Sequence, residues 1–278
     1  MSKVWFITGA GSGIGAATAR AALKAGDRVV ATGRNLDKVR KALGEGAGAN
    51  LAFVPLDVAN EAQAKIAVEE AVQAFGRIDV LVNSAGYSLL GNFEEISTAD
   101  IEDLLSTNLY GVIHVMRAVL PIMRQQRAGR IINISSLAGV VGFKHCSAYA
   151  AAKFGVEGVS LSLAQEVEPF GIKITVVAPG FFRTDLLDPR NARYATSTIA
   201  DYAAEGSAEA MWSGYDGAQQ GDPAKLGDVL VTMASMESPP KQFVAGSDAL
   251  AVAKPALEAR LEEIRAFEDL SKSTDGSF

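Results

Sequence analysis

The feature that most constrains the fold is a regular alternation between two kinds of segment. Seven short apolar runs, rich in β-branched residues, have the length of strands, and most are separated by segments with helical spacing of apolar residues. The strand-like runs are residues 4–7, 28–32, 51–56, 78–82, 130–134, 173–177 and 242–245. Because parallel strands are joined by helical crossovers, this order predicts an α/β fold with a doubly wound, seven-stranded parallel sheet and helices on both faces.

The clearest helical segments are residues 14–25, 61–75, 101–123 and 148–167. The chain of 278 residues has the length of one large domain, which we predict over residues 1–270, with a flexible tail at 271–278. After the last strand, Ser247 and Asp248 predict the N-cap of a final helix, which Pro255 should kink or restart.

The alternation fails between about residues 186 and 221. Aromatic residues are scattered there among Ala, Ser, Gly and Asp without a sustained period. Long loops in compact domains are more often functional than structural, so we predict a substrate lid in this segment. The alternative is a surface excursion held by a few core anchors.

Composition excludes several classes of partner. The net charge is −6 without a basic cluster, which argues against a nucleic-acid partner and an anionic membrane surface. No apolar run approaches the roughly 20 residues of a membrane-spanning helix. Cys146 is the only cysteine, so a reducing cytoplasm is the expected location and a small molecule the expected partner. His114 and His145 lack neighbours at metal-ligand spacing, so no metal is predicted.

A glycine-rich turn follows the first predicted strand and opens the first predicted helix. It reads Thr8-Gly9-Ala10-Gly11-Ser12-Gly13-Ile14-Gly15. Glycines at such a turn let the backbone approach a pyrophosphate, whose charge is met by free amides at the helix N-terminus. The turn therefore predicts a dinucleotide site.

A second group of residues has the chemistry of proton transfer. Tyr149 and Lys153 are four residues apart in a predicted helix, so they share one face, and a nearby ammonium would lower the phenol pKa from about 10 toward about 7. Ser136 lies thirteen residues before Tyr149, and its hydroxyl can donate to an oxygen that becomes negative. We interpret Tyr149 as an acid and base, with the hydroxyl of Ser136 or of the adjacent Ser135 as the oxyanion donor.

Both groups resemble motifs of the short-chain dehydrogenase/reductase family, from about residue 3 to residue 185, with a weaker similarity to residue 270. The turn matches T-G-x-x-x-G-x-G, and Ser136, Tyr149 and Lys153 match the catalytic S-x12-Y-x3-K. The resemblance implies a Rossmann-type fold, hydride transfer with a nicotinamide cofactor, and Asn108 as a fourth catalytic residue that holds a water in a proton relay.

The resemblance also implies further cofactor contacts at the ends of later strands. Asp57-Val58 resembles the adenine-contacting pair, and residues 83–86 resemble N-N-A-G, although Ser84 replaces the second Asn. Pro179-Gly180 with Thr184 resembles P-G-x-x-x-T, whose Thr contacts the nicotinamide carboxamide. The expected cofactor contacts are therefore Thr8, Gly9, Gly11, Ser12, Gly13, Ile14, Gly15, Asp57, Val58, Asn83, Ala85, Gly86, Tyr149, Lys153, Pro179, Gly180 and Thr184.

The choice of cofactor depends on the turn after the second predicted strand. An NAD site would place Asp or Glu there for the ribose hydroxyls, whereas this turn reads Ala31-Thr32-Gly33-Arg34-Asn35. No carboxylate repels a 2′-phosphate, and the Arg34 guanidinium can pair with one. We therefore predict NADP(H), with NAD(H) as the alternative.

The expected substrate is an apolar or aromatic ketone, aldehyde or secondary alcohol, because the segments around the nicotinamide carry apolar side chains. They are Leu89, Leu90, Phe143, Phe181, Leu186, Leu187, Tyr194 and Trp212. A homodimer or homotetramer is also expected, since the helices at about residues 100–124 and 148–167 carry apolar residues beyond one sheet-facing stripe. These include Val112, Val115, Val119, Val156, Val159 and Leu163.

Two other functions are compatible with such a chain. A regulator could bind NADP and catalyse nothing, but it would not need Asn108, Ser136, Tyr149 and Lys153 together. A sugar-nucleotide epimerase or dehydratase would share Y-x3-K, but such enzymes usually carry a larger C-terminal substrate domain than the residues after Lys153 could form.

Overall fold

Seven strands form one parallel sheet in the computed structural model, which describes residues 2–44, 48–188, 191–204 and 206–276. The predicted doubly wound α/β fold is confirmed. The strands of the sheet are β1 (Val4–Ile7), β2 (Arg28–Gly33), β3 (Leu51–Pro55), β4 (Val80–Asn83), β6 (Gly129–Ile134), β7 (Ile172–Pro179) and β9 (Gln242–Ala245). Parts of two predicted segments lie outside the described residues, namely Pro189, Arg190 and Glu205 of the lid and Ser277 and Phe278 of the tail.

The sheet order is β3-β2-β1-β4-β6-β7-β9, so the chain starts at the middle and builds outward in both directions. The chain adds β2 and β3 on one side of β1 and all later strands of the sheet on the other side, beginning with β4, which pairs with β1 in parallel. In an open α/β sheet a crevice forms beyond the carboxyl ends of the strands at this point, and ligands bind in it. The residues that follow β1 and β4 therefore form the centre of the candidate site.

Helices cover both faces because the central strands are apolar on both sides. Trp5 and Ile7 of β1 pack in one core cluster and Phe6 in the other, and all three are fully buried. The first face carries α1 (Gly13–Lys24), α2 (Leu36–Leu43) and α9 (Pro223–Met233). The second carries α3 (Glu61–Phe75), α5 (Gly111–Gln126) and α6 (Ser147–Val167).

The helix expected at residues 101–123 is divided by a π-helical turn. It consists of α4 (Thr98–Leu105), a π segment at Ser106–Tyr110, and α5. A π turn inserts one extra residue and is frequent at functional sites. Here it contains Asn108, so the departure from a regular helix falls on a predicted catalytic residue.

The valines taken as a sign of self-association are used by the chain's own core. Val112, Val115, Val119 and Val156 are buried between the helices and the sheet, so they give no evidence for a second partner. A helix under this sheet buries a wider stripe than we expected, because α5 packs on α3 as well as on the sheet. Val159 and Leu163 are partly buried against the same core.

Short elements fill the rest of the chain. β5 (Leu89–Leu90) and β8 (Arg193–Tyr194) form a separate parallel pair that was not expected, and α7 (Ala200–Ala203) and α8 (Ala208–Trp212) lie in the predicted lid. No helix in the described ranges has both the length and the apolar composition needed to cross a membrane.

The C-terminal helix differs from the prediction at its start and at its proline. α10 (Ser247–Ala266) continues through Pro255 instead of restarting there, and α11 (Glu268–Lys272) extends helix into the predicted tail. Pro255 is exposed, so water can meet the backbone carbonyl that the proline leaves without a donor. Asp248 does not cap this helix, because its carboxylate accepts from the backbone N–H of Phe181 at 2.7 Å.

Candidate active site

A cleft of about 490 Å³ lies beyond the carboxyl ends of the strands. The chain reaches it from the glycine turn, the ends of β4, β6 and β7, the start of α6 and the lid segment. Thirteen of the predicted site residues line it: Gly9, Ser12, Gly13, Ile14, Arg34, Ala85, Gly86, Ser136, Tyr149, Lys153, Pro179, Gly180 and Thr184.

The glycine turn is a close approach of backbone to backbone. Gly9 has a φ of +67°, and a methyl group on it would lie 2.8 Å from the Cα of Ala85. A methyl group on Gly15 would lie 2.5 Å from the carbonyl oxygen of Gly9. Side chains at Gly9 and Gly15 would therefore prevent the turn from packing against the protein backbone in this way. A turn of glycines at a helix N-terminus is suited to the diphosphate of a dinucleotide.

Thr8 connects the glycine turn to the end of β4. Its Oγ1 accepts from the backbone N–H groups of Ser84 (3.0 Å) and Ala85 (3.1 Å). These contacts use the backbone of Ser84 and not its side chain. The departure from the family's second Asn therefore leaves this link intact.

Two cations stand at the adenosine end of the cleft. Arg34 follows β2 and is exposed, and Lys38 lies one helical turn later, with its Nζ 3.9 Å from the Asp185 carboxylate. The stem of Lys38 lies beside Gly11, since a methyl group there would be 3.3 Å from its Cγ. The pair fits a phosphate, and the sequence argument had identified only Arg34.

Six predicted cofactor contacts lie outside the cleft lining: Thr8, Gly11, Gly15, Asp57, Val58 and Asn83. Asp57 accepts from the backbone N–H of Ala59 at 3.1 Å, and Val58 packs against Gly111. The Asn83 side chain points into the protein and donates to Asn133 Oδ1 at 2.9 Å. Thr8 and Gly15 make the contacts within the turn that are described above, and Gly11 lies beside the stem of Lys38.

Three of the four residues predicted to be catalytic meet on the floor of the cleft. Ser136 ends the loop after β6, and Tyr149 and Lys153 face it from α6. Tyr149 and Lys153 are 7% and 5% exposed. The Lys153 Nζ lies 5.5 Å from the centroid of the Tyr149 ring and donates to the Ile134 carbonyl at 2.9 Å.

Burial dominates the ionisation of both groups. It raises the pKa of Tyr149, an effect that Cys146 reinforces and a hydrogen bond with Ser136 opposes. This direction is opposite to our expectation that Lys153 would lower it. Burial also lowers the pKa of Lys153 to about 8, and the charge of Glu157 opposes that change. Burial therefore shifts both groups toward their neutral forms, although a lysine with a pKa of about 8 still carries its proton at neutral pH.

Asn108 lies behind the site and not in its lining. The π turn directs its buried amide at the backbone of Tyr87, to which it donates at 2.8 Å and from which it accepts at 3.1 Å. Gly86 packs on the same amide, because a methyl group there would lie 3.1 Å from Asn108 Oδ1. The Asn108 side chain thus holds the chain segment that follows β4.

The other wall of the cleft is apolar. Six of the eight predicted substrate-side residues line it: Leu90, Phe143, Phe181, Leu186, Leu187 and Trp212. Leu89 and Tyr194 belong to the same apolar cluster but not to the lining. The ring of Phe181 stacks on Tyr215 with centroids 4.4 Å apart, so the wall continues into the lid segment.

Two adjacent carboxylates attach the segment predicted to form a lid, residues 186–221, to the rest of the protein. Glu95 accepts from the backbone N–H groups of Thr198 (2.7 Å) and Ile199 (2.8 Å). Glu94 accepts from the hydroxyl of Tyr202. These acidic residues were not identified from the sequence, because nothing local marks their partners about a hundred positions away.

The surroundings of Cys146 and His114 give neither residue a catalytic role. Burial raises the pKa of the Cys146 thiol to about 12, which makes it a poor nucleophile. The Nδ1 of His114 lies 3.1 Å from the Val58 carbonyl oxygen. Within the part of the chain that the structure describes, no group of three or more His, Cys, Asp or Glu is arranged to hold a metal.

Proteins of similar sequence belong to the family that the sequence motifs resemble. A family model described as short chain dehydrogenase matches residues 3–195. Oxidoreductase BOA17 of Botryotinia fuckeliana is 38% identical over 258 residues, covering 93% of this chain and 94% of that protein. A protein named 3-ketodihydrosphingosine reductase from Bacteroides thetaiotaomicron is 36% identical over 86% of each chain.

Solved structures agree in fold. A short-chain dehydrogenase from Streptomyces avermitilis superimposes with a TM-score of 0.89 at 33% identity, over 99% of this chain and all of that one. ElxO with NADP bound gives 0.75 at 29% identity over 90% and 100% of the two chains. A Burkholderia phymatum short-chain dehydrogenase/reductase in complex with NAD gives 0.80 at 25% identity over 97% and 95%. With the glycine turn and the Ser136, Tyr149 and Lys153 cluster, these matches show that the chain belongs to the short-chain dehydrogenase/reductase family of oxidoreductases.

Proposed function

We propose that this protein is an NADP(H)-dependent oxidoreductase that interconverts a ketone or aldehyde and an alcohol on a mainly apolar small molecule. The observation that carries the proposal is the position of Ser136, Tyr149 and Lys153 on the cleft floor, between the glycine turn and the apolar wall. A carbonyl placed there would lie among a proton donor, an oxyanion donor and a cofactor site.

Each residue of the floor has a separate task. The Tyr149 phenol gives its proton to the substrate oxygen, or takes it back in the reverse reaction. The Ser136 hydroxyl donates to that oxygen as negative charge develops on it. The Lys153 ammonium stabilises the phenolate left on Tyr149, and Asn108 supports the site from behind.

The nicotinamide cofactor supplies or accepts the hydride when it is bound. Its diphosphate would be held at the glycine turn by Ser12, Gly13 and Ile14, and its carboxamide by Thr184. The raised pKa of Tyr149 leaves the phenol protonated at neutral pH, so its proton is present for reduction of a carbonyl. Because a raised pKa also makes the phenol a weaker acid, the charge of Lys153 is needed to stabilise the phenolate that forms.

The preference for NADP(H) over NAD(H) is supported by charge at the adenosine end. Arg34 and Lys38 line that end of the cleft, and the turn after β2 has no carboxylate to accept from ribose hydroxyls. A 2′-phosphate would pair with both cations.

An apolar substrate is supported by the wall that carries Phe143, Phe181 and Trp212. A relative of 36% identity is named for a long-chain keto substrate, and a keto group on a long apolar chain suits such a wall. The segment from 186 to 221 would act as the lid that shields this substrate from water.

Further proposals concern assembly and location. Tyr110 and Phe154, on the helices expected to pair in a homodimer or homotetramer, are 53% and 42% exposed, which supports an interface there. A cytoplasmic location is proposed because the single cysteine excludes an internal disulfide.

The experiment that tests the function is a screen of carbonyl compounds with purified protein, following NADPH absorbance. It should include long-chain ketones, steroid ketones, aromatic aldehydes and charged sugars, each with Tyr149→Phe as the inactive control. We expect oxidation of NADPH with apolar carbonyls. Turnover confined to charged sugars, or equal in the control, would contradict the proposal.

A further inference from the structure

A third ionisable group lies on the catalytic face of α6. Tyr149, Lys153 and Glu157 follow one another at intervals of four residues, so their side chains occupy successive turns of one helix face. Glu157 is only 6% exposed. A buried carboxyl directly behind a catalytic lysine is not needed for packing, since an apolar side chain would fill the space at lower cost.

The buried Glu157 carboxylate has few polar partners. One oxygen accepts from Gln242 Nε2 of β9 at 3.1 Å. The other is buried and forms no hydrogen bond of normal length and angle with a described residue, although the hydroxyl of Ser135 is near enough to favour the charged form. Burial raises the pKa of Glu157, whereas the polar contacts with Gln242 and Ser135 and the charge of Lys153 oppose that change. The carboxylate thus depends on Gln242, on Ser135 and on the lysine one turn away.

The buried ammonium of Lys153 in turn needs a negative charge nearby. Its Nζ donates to a neutral carbonyl, that of Ile134, which does not compensate a buried positive charge as a carboxylate does. The loop after β6 presents the uncharged Ser135, whose hydroxyl donates to the Lys153 carbonyl at 3.3 Å, and β9 presents the uncharged Gln242. On α6 itself the titratable neighbours are Tyr149, with Cys146 beside it, and Glu157.

We propose that Glu157 is a positioning residue of the active site, whose carboxylate holds the buried Lys153 in its ammonium form. The inference rests on the proposed function, in which that ammonium stabilises the Tyr149 phenolate. Without the carboxylate, the lysine loses its proton at a lower pH, and the charge that supports proton transfer is missing near neutrality.

The first test measures the lysine without turnover. Protein without cofactor is labelled briefly with acetic anhydride over a range of pH, and the acetylated Lys153 peptide is quantified by mass spectrometry. In Glu157→Gln the midpoint of labelling should fall by roughly one pH unit, the lower end of the effect of a nearby opposite charge. Glu166→Gln, an exposed position on the same helix, is the matched control and should not move it. An unchanged midpoint in Glu157→Gln overturns the proposal.

The second test uses the conservative variant and the reaction. Glu157→Asp keeps the charge on a shorter side chain, so its labelling midpoint should lie between those of the wild type and Glu157→Gln. If Glu157→Gln folds poorly, a midpoint of Glu157→Asp below that of the wild type tests the same inference. When a substrate is available, the pH at which kcat declines should be lower in Glu157→Gln than in the wild type by about the shift seen in labelling. The KM for the cofactor should be unchanged. A loss of kcat that is equal at every pH indicates a structural role and overturns the inference.

The two hypotheses fail in different ways. If no carbonyl compound is turned over but the labelling midpoint shifts, the proposed function falls and the coupling between Glu157 and Lys153 stands. If turnover is found and the midpoint does not shift, the proposed function stands and the coupling between Glu157 and Lys153 is rejected.

Discussion

The ammonium of Lys153 lies over the ring of Tyr149, 5.5 Å from its centroid, and gives its hydrogen bond to the Ile134 carbonyl and not to the phenol oxygen. The lysine therefore acts on the tyrosine through space, as a charge beside a π system and a developing phenolate. Such an effect depends on keeping water out and on keeping the lysine charged. Both conditions lead to measurable consequences.

Replacing Tyr149 by Phe should lower kcat by roughly 10² to 10⁴, because the ring remains but the transferable proton is lost. Cofactor affinity, measured by fluorescence titration, should stay nearly constant. Activity above a few per cent of wild type would show that another group transfers the proton.

The two adjacent serines should differ sharply. Ser136 lines the cleft beside Tyr149, and its loss in Ser136→Ala should reduce kcat about 10²-fold through the missing oxyanion donor. Ser135 also borders the cleft, but its buried hydroxyl donates to the Lys153 carbonyl at 3.3 Å, so Ser135→Ala should reduce kcat much less. Steady-state kinetics of the two variants decide between them, and equal losses would contradict the assignment.

The reaction should weaken at alkaline pH. Burial lowers the pKa of Lys153 to about 8, so the ammonium present below that pH becomes a neutral amine above it. We expect kcat to decline as the pH rises past about 8, while cofactor binding measured over the same range is less affected. A rate that stays level well above this pH would show that the charge of Lys153 is not required.

Cofactor preference should follow Arg34. Arg34→Ala removes one charge-assisted contact at an exposed position, so KM for NADPH should rise about tenfold with little change for NADH. An equal rise for both cofactors would mean that Arg34 supports the turn and not a phosphate.

Introducing a carboxylate at position 33 should shift the preference from NADPH toward NADH, and the packing around Gly33 determines which second substitution it needs. A methyl group on Gly33 would lie 2.9 Å from Val39 Cγ2, so Gly33→Asp needs Val39→Ala to make room. The triple variant with Arg34→Ala should favour NADH, because the new carboxylate accepts from the ribose 2′-hydroxyl and repels a phosphate. The Gly33→Ala, Val39→Ala double variant separates the effect of packing from that of charge.

The lid segment should loosen when its carboxylate anchor is removed. Hydrogen bonds from Ile199, Asn92 and Thr198 lower the pKa of Glu95, so the anchor is present above the ordinary pKa of a carboxyl and is lost as pH falls through the lowered one. Glu95→Gln should raise the substrate KM severalfold more than it lowers kcat, since the change weakens closure and not chemistry. Glu102→Gln, exposed on α4, is the control, and an equal effect there would remove the anchor role.

Much of the architecture could be predicted from local pattern. Strands buried on both faces are apolar along their whole length, and the helices between them keep a period that a short window reveals. The same holds for Tyr149 and Lys153, because a spacing of four on a helix fixes their common face wherever the helix packs. The glycine turn was identifiable because its function depends on the absence of side chains.

Other features had no local sign. A strand of two residues, such as Leu89–Leu90, is too short to show a period, and its partner lies about a hundred residues later. The valines of α5 suggested a free face because one helix viewed alone does not reveal how many neighbours will cover it.

The sequence by itself therefore determined the sheet, its helical cover and the common helix face of Tyr149 and Lys153, since each depends on backbone periodicity. Ser136 was predicted from its place in the family motif. Only the tertiary structure decided what surrounds them. Burial reversed the expected direction of the Tyr149 pKa, Asn108 proved to hold the backbone of Tyr87, and Gln242 of β9 was brought to Glu157. The physical reason is that desolvation and long-range hydrogen bonds depend on which elements pack together, and that information is not contained in any one segment.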